Sequence, residues 1–259
     1  MDGSIFSLTL TAEQLVLVCV AATIGGWIYG LIGFAYGVVI SVFLHHAFAA
    51  ADVVFVIVAG SLVMNLALLP RFWREIRWRD SVPYLAGAGF GLPLGLWLLG
   101  RLDPHAIRAF IGVLIVAYGL YALRQQSRQP LRFKAGQGGL VDSGVGFAGG
   151  VIGGLSGLGP IVPAVWFGVR GMNKMEQRSL AQPFALVFFA AMAVVLLAGG
   201  RAGRPALEAL AVGTPLMLAA AFLGLRGFER LSTSAFQRGV IALAIVGAGV
   251  LLARQCMVL

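Results

Sequence analysis

The chain has 259 residues, of which 59% are hydrophobic and only 11% are charged. The long apolar stretches lack the polar faces that soluble helices need, so this composition excludes a soluble globular domain. The formal net charge of +9 would also suit a nucleic-acid-binding protein. However, the basic residues lie in short loops between apolar runs, as membrane topology demands, and no nucleic-acid partner is expected.

Eight stretches without a charged residue follow one another along the chain. They cover 14–44, 53–70, 81–100, 109–123, 143–169, 179–200, 209–225 and 239–253. About 20 apolar residues are needed for a helix to cross a bilayer. The pattern therefore predicts an all-α polytopic membrane protein with eight apolar segments, and with up to ten membrane helices if the two longest runs each enter and return.

The two halves of the chain resemble each other. "GGWIYGLIG" at 25–33 matches "GGVIGGLSG" at 149–157 at an offset of 124, and a weaker match follows in the same order near the end of each half. Such self-similarity indicates an internal duplication. The predicted units are a first membrane repeat at 1–123, a basic cytoplasmic linker at 124–138 and a second membrane repeat at 139–259.

The basic residues indicate how the halves are oriented. If the two glycine-rich runs are helical hairpins, thirteen Lys and Arg fall on one side of the membrane, in 71–80, 124–137, 170–178 and 226–230, against about five on the other. Eight simple crossings give a poorer bias of about eleven against seven. The positive-inside rule therefore favours hairpins, an external N-terminus and halves that are inverted with respect to each other.

The hairpins themselves are interrupted by glycine at 25–41 and by glycine and proline at 149–163. In inverted-repeat transporters, such paired segments mark the substrate site. Broken backbone at membrane depth must line a cavity or be buried in protein. Substrate-binding glycines are predicted at Gly30, Gly33, Gly157 and Gly159. The alternative is that spacings such as Gly26 with Gly30 and Gly150 with Gly154 only allow helices to pack closely.

The second broken motif, "GLSGLGPIVP", and its degenerate echo "GLIGFAYGVVIS" in the first half resemble the sulfite exporter TauE/SafE family, as does the segment "GVRGMNKMEQRSLAQPF" at 168–184. The resemblance covers nearly the whole chain. It implies a bacterial inner-membrane transporter of small sulfur-containing or organic anions, such as sulfite, sulfonates or sulfoacetate. Ala35 and Tyr36 depart from the glycine run usual in the family motif.

Four polar side chains lie in or beside the apolar runs, where each is expensive to bury. Asn65 and Gln182 are candidates to donate hydrogen bonds to an oxyanion from the two halves, and Ser156 lies inside the second broken segment. Arg178 lies directly before the charge-free run at 179–200, and its guanidinium offers a bidentate contact to an anion. For each of these residues an ordinary role stays open, namely hydrogen bonding between helices or a cytoplasmic positive charge.

Enzyme classes fit the sequence less well. "GLSG" at 154–157 spells a rhomboid-protease serine motif, but no histidine follows His105 to act as the base. The chain has only ten Asp and Glu and no HExxH motif. We therefore expect no catalytic residues, no metal and no cofactor.

The expected function is a secondary transporter that exports a small anion by alternating access, with a passive anion channel as the alternative. The expected partners are that anion and the lipid bilayer, with a homodimer left open. The expected location is the bacterial inner membrane.

Overall fold

The computed structural model describes residues 8–33, 36–44, 47–99, 101, 138–200, 202–239 and 241–242. Within these ranges the chain is helical and contains no strand. The run at 109–123, nearly all of the linker at 124–138 and most of the run at 239–253 lie outside the described residues.

Four helices belong to the first half: α1 (Ala12–Ile32), α2 (Tyr36–Leu44), α3 (Ala50–Phe72) and α4 (Trp78–Leu99). Four belong to the second: α5 (Gly138–Ser156), α6 (Ile161–Val169), α7 (Lys174–Ala198) and α8 (Arg204–Arg230). Six of these eight, all except α2 and α6, are long and apolar enough to cross a membrane. Large apolar side chains such as Phe90, Val194 and Leu223 stay exposed on these helices, as expected for surfaces that face lipid. The predicted class, an all-α multi-pass membrane protein, is confirmed.

Each glycine-rich run forms a long helix followed by a half-length helix that folds back along it. Gly149 of α5 lies against Pro163 of α6, with 3.3 Å between the Pro163 Cδ and the place of an added Cβ. At the matching positions of the first half, Gly25 of α1 lies against Val39 of α2 at 3.6 Å. The short helices have nine residues each, which is about 14 Å or half of a ~30 Å hydrocarbon core.

Both breaks occur at a glycine with positive φ. Gly33 ends α1 at φ 96°, and Gly157 ends α5 at φ 76°. The left-handed conformation satisfies the last carbonyl groups of a helix and is open to glycine without a Cβ penalty. These two residues also match at the offset of 124, so the same chain-reversing device occurs in both halves.

The halves are interleaved rather than packed side by side. The first described helix of each half pairs with the fourth described helix of the other: α1 with α8, and α5 with α4. Both pairs run parallel. Along α4 and α5, the glycines at 146, 150 and 154 lie in turn against the backbone of residues 84, 88 and 92. Gly26 and Gly30 of α1 lie in the same way against Met217 and Ala221 of α8.

The central helices α3 and α7 run antiparallel. Asp52, near the start of α3, lies beside Gly203, just beyond the end of α7. The turn that follows α3 lies at the start of α7, where the Arg77 backbone N–H donates to the Ser179 carbonyl at 3.3 Å. Pro183 has no N–H to offer to this carbonyl, four residues earlier, which is why the carbonyl is open to a partner from outside the helix.

The turns at one end of the bundle carry many basic residues. There Arg71 pairs with Glu229 at 3.5 Å, and Lys174 donates to the carbonyls of Phe228, Glu229 and Leu231 that end α8. The segments 71–80, 170–178 and 226–230 therefore share this end. The opposite end brings together Asp52, Gly203 and the Thr9–Glu208 hydrogen bond.

Candidate functional site

Arg178 is placed by the cap of α7. The Asn173 side chain accepts hydrogen bonds from the N–H groups of Met175 and Glu176, and the Glu176 carboxylate accepts one from the Asn173 N–H. This capping box fixes where the helix begins. Arg178 consequently falls in the second turn and points into the bundle, where it is only 2% exposed.

The Arg178 guanidinium packs against two aromatic rings and is bonded to one backbone carbonyl. Its Cζ atom lies 4.2 Å from the centre of the Phe72 ring and 4.6 Å from that of Phe228. The Nη1 atom donates to the Gly30 carbonyl at 2.9 Å. This hydrogen bond also satisfies a carbonyl group in the last turn of α1. Contacts with aromatic faces leave the in-plane N–H groups of a guanidinium open to hydrogen bonds.

Two nitrogens of this guanidinium, Nε and Nη2, have no hydrogen-bond partner among the described residues. They are the two whose N–H bonds point the same way and together form the side-on fork that binds a carboxylate or sulfonate. The ion pairs within the described ranges join Arg71 to Glu229, Arg77 to Asp80, Arg170 to Asp142 and Arg204 to Glu208. Arg178 belongs to none of them.

Further buried polar groups lie on α1, α3 and α7. The Tyr29 hydroxyl faces both Asn65 and Arg178, but it makes no close hydrogen bond with any described residue. Asn65 donates through Nδ2 to the Ser61 carbonyl at 3.0 Å, while its Oδ1 is unpartnered in the same part of the chain. Gln182 lies one turn after Arg178 and is 2% exposed, and neither end of its amide is bonded there.

The first break lies directly beside the guanidinium. A Cβ added at Gly33 would be 3.9 Å from the Arg178 Nε atom. Gly30 contributes its carbonyl to Arg178, and it also lies against the α8 backbone at Ala221. At Gly30, therefore, the close-packing alternative describes the geometry, and the residue touches the candidate site as well.

The second break has a different environment. The Ser156 hydroxyl donates to the Ile152 carbonyl at 2.7 Å and accepts from the Leu158 N–H at 3.3 Å. The Gly157 N–H donates to the Gly153 carbonyl at 2.7 Å. Gly159 lies 2.8 Å, measured from an added Cβ, from both the Gly149 carbonyl and the Phe188 ring. The Ser156 hydroxyl and the Gly157 N–H are thus already engaged in closing the hairpin.

The predicted site residues accordingly form two groups. Gly30, Gly33 and Arg178 are in contact, Asn65 joins them through Tyr29, and Gln182 follows one turn along α7. Ser156, Gly157 and Gly159 lie at the second break. One contact links the two regions, since the Leu158 side chain of that break lies 3.1 Å from the place of an added Cβ at Gly37, just beyond the first break.

Three residues around Arg178 were missed by sequence reasoning. They are Tyr29, Phe72 and Phe228, which are 0%, 7% and 2% exposed. Aromatic residues in membrane helices usually face lipid or apolar neighbours, so their type alone gave no signal. The one indication was the position of Tyr29 within the glycine-lined face of α1, between Gly26 and Gly30.

A second polar cluster joins α4, α5 and α6. Arg170 contacts the Asp142 carboxylate at 3.1 Å and the Tyr84 hydroxyl at 3.3 Å, and the Trp166 indole donates to Asp142 at 3.1 Å. Arg170 therefore does more than add positive charge to a cytoplasmic loop. Among the described residues, no three His, Cys, Asp or Glu side chains come together to hold a metal ion.

Comparison with known proteins relates these features to a family. The sequence profile of the family described as Sulfite exporter TauE/SafE matches residues 18–251. A relative from Comamonas testosteroni, named probable inner membrane transporter protein TsaS, is 28% identical over 177 residues, which cover 67% of this chain and 71% of the relative. No solved structure matches the chain significantly.

Proposed function

Because the chain belongs to the sulfite exporter TauE/SafE family of membrane transporters, we propose that it exports a small sulfur-containing or organic anion, of the sulfite, sulfonate or sulfoacetate type. The chain is a multi-pass protein of the inner membrane, and its similarity to TsaS agrees with this location. The anion leaves the cell by alternating access between the two sides of the bundle.

The observation that carries the proposal is the buried Arg178 fork. Arg178 is 2% exposed, and its Nε and Nη2 lack partners among the described residues. A buried charge without a counter-charge is strongly unfavourable. A bound oxyanion would supply both the opposite charge and two acceptors in the geometry that a guanidinium prefers.

The remaining predicted residues are assigned roles from their positions. Asn65 and Gln182 approach the anion from α3 and α7, and Gly33 leaves room beside the Arg178 Nε. Gly30 supplies the carbonyl that orients the guanidinium. At the second break, Ser156, Gly157 and Gly159 shape the hairpin that meets the first break at Leu158, and we assign them to the substrate pathway.

We further propose that residues 1–123 and 139–259 are inverted repeats joined by the cytoplasmic linker at 124–138. The helix directions support this arrangement. Since α3 and α7 are antiparallel, and each is joined by a short turn to the helix that follows, α4 and α8 also run in opposite directions. The parallel pairs α1–α8 and α4–α5 then make α1 and α5 antiparallel. Each of the four helices described for the first half would thus have an oppositely directed counterpart.

The end that carries segments 71–80, 170–178 and 226–230 is assigned to the cytoplasm by its basic residues. Arg178 then lies nearer the cytoplasmic end of α7, where it would meet an anion arriving from the cell interior. An inside-negative potential favours anion exit by about 2.3 kcal/mol per charge per 100 mV, so export needs no coupling ion.

Transport by purified protein in liposomes tests the proposal. Arg178→Lys keeps the charge but loses the planar fork, so we expect efflux of sulfite or sulfonate to fall about tenfold or more. Arg74→Lys is the matched control, because Arg74 is exposed in the turn after α3, and it should transport normally. Normal transport by a folded Arg178→Ala variant would contradict the proposal.

The passive channel considered above is not favoured, because the matching family and the relative are transporters. The homodimer stays a prediction.

A further inference from the structure

The geometry points to a charge filter at this same site: it accepts singly charged oxyanions, such as alkyl sulfonates and hydrogen sulfite, and rejects doubly charged ones, such as sulfate and sulfite. This inference rests on the proposed function, since it takes the Arg178 fork as the place where the anion binds. It adds a selection rule based on the net charge of the substrate, and it narrows the proposed substrates to hydrogen sulfite and monosulfonates, because sulfoacetate with both acid groups ionised carries two charges.

The groups that face Arg178 come from α1, α3 and α8 and from α7 itself. From α1 come Tyr29 and the Gly30 carbonyl, and from α3 the Phe72 ring. Phe228 approaches from α8, and Gln182 lies on the same side of α7 as Arg178. All of these groups are neutral, so among the described residues the guanidinium carries the charge of the site.

A second cation, Lys174, shares the Phe228 ring with Arg178, and its ammonium group is bonded to other groups. It lies one turn before Arg178 on α7, is partly exposed, and donates to the carbonyls of Phe228, Glu229 and Leu231 at 2.7, 3.2 and 2.8 Å. The Phe228 ring lies within 5 Å of both cations, at 4.8 Å from Lys174 and 4.6 Å from Arg178. Lys174 therefore neutralises the carbonyl end of α8.

The charge of the bound anion changes both its desolvation free energy and its attraction to the guanidinium. The free energy of moving an ion from water into a protein interior grows with the square of its charge. The attraction to one guanidinium grows only in proportion to that charge. Going from a singly to a doubly charged anion thus quadruples the desolvation term and only doubles the attraction, so the singly charged anion binds better.

The neutral groups complete the recognition without altering this balance. The Tyr29 hydroxyl and the Gln182 amide are buried and unpartnered among the described residues, and both can donate to a third oxyanion oxygen. A site built for dianions would be expected to hold a second Lys or Arg at one of these positions. Gln182, one turn from Arg178, is the place where such a charge would act most directly.

Binding of methanesulfonate and of sulfate to the purified protein, compared by calorimetry at equal ionic strength, tests the filter. We expect the wild-type protein to prefer methanesulfonate by about tenfold or more. Gln182→Lys should shift the ratio of the two affinities toward sulfate by about tenfold. Met175→Lys adds the same charge at an exposed position of α7 and should leave the ratio unchanged.

A second measurement uses the unaltered protein, in case Gln182→Lys does not fold. Efflux of total sulfite from liposomes is followed as pH is raised through the conversion of hydrogen sulfite to sulfite. The filter predicts that the rate falls with the hydrogen sulfite fraction, and a rate that rises with the sulfite fraction would overturn it.

The outcomes separate the two proposals. If sulfate binds as tightly as methanesulfonate and Arg178→Ala abolishes both, the charge filter is wrong and the anion site stands. If the protein neither binds nor moves any of these anions, the proposed function fails and the filter fails with it.

Discussion

Substitution of Gly33 and of Gly157 can distinguish loss of stability from backbone strain at a hairpin from loss of transport at the anion site. Both glycines end a long helix with positive φ, 96° and 76°, and both match at the offset of 124. Alanine at either position must adopt a left-handed conformation, which costs about 1–2 kcal/mol. Neither methyl group would clash, since the nearest atom is 3.9 Å away at Gly33 and no described atom lies within 4 Å at Gly157.

We therefore expect Gly33→Ala and Gly157→Ala to lose similar stability, about 2–8 °C in thermal midpoint on the scale of domains of this size. Their transport should differ. The Gly33 methyl would lie beside the Arg178 Nε, where the oxyanion is proposed to bind, whereas the Gly157 methyl would have no described atom, Arg178 included, within 4 Å.

The assay is anion efflux per folded protein, measured together with thermal unfolding in detergent. Gly33→Ala should reduce efflux at least severalfold more than Gly157→Ala. Asparagine, which tolerates the left-handed region better than alanine, should restore part of the stability at Gly157. Equal efflux in the two alanine variants would refute the placement of the site beside Gly33, and unchanged midpoints in both would refute the strain argument.

Two further predictions concern packing and charge. Gly146→Ala should destabilise the protein by about 1–3 kcal/mol in the same thermal unfolding assay, because its methyl group would meet the Tyr84 carbonyl of α4. Gly144 lies on an open face of α5, so Gly144→Ala should be neutral or slightly stabilising. Asp142→Asn removes the carboxylate that faces Arg170, whose side chain is 25% exposed, and should lower stability by about 1–3 kcal/mol. The half-exposed Asp80, paired with Arg77, is its control, and Asp80→Asn should cost less than about 1 kcal/mol; equal losses would contradict the burial argument.

Much of the fold was accessible from periodicity and composition. Long charge-free runs identified membrane helices. Clustered glycine located both breaks, together with proline in the second half, because these residue types act on the local backbone: glycine permits positive φ and proline removes an N–H. The offset of 124 relates Gly25, Gly33 and Val39 to structural counterparts at Gly149, Gly157 and Pro163. Local rules therefore carried over well to local structure.

Tertiary relations were less accessible. The pairing of α1 with α8 depends on the path of the whole chain, so the contact of Gly30 with Ala221 could not be distinguished beforehand from exposure to a ligand. Tyr29 was missed for the same reason, since only the tertiary structure places its hydroxyl beside Asn65 and Arg178. Arg178 and Asn65 were found because buried polar residues are rare in hydrocarbon.

The interleaving of α1 with α8 has a consequence for biosynthesis. The nascent chain delivers α1 to the bilayer almost 200 residues before α8 exists, and pairings so distant in sequence form slowly. Until α8 is inserted, the glycine-lined face of α1 is exposed to lipid, and until α7 is inserted, the Gly30 carbonyl lacks its hydrogen-bond donor Arg178. Truncation before α8 would leave the first half without its main partner, so an isolated first repeat is expected to insert but to be degraded as an incomplete assembly.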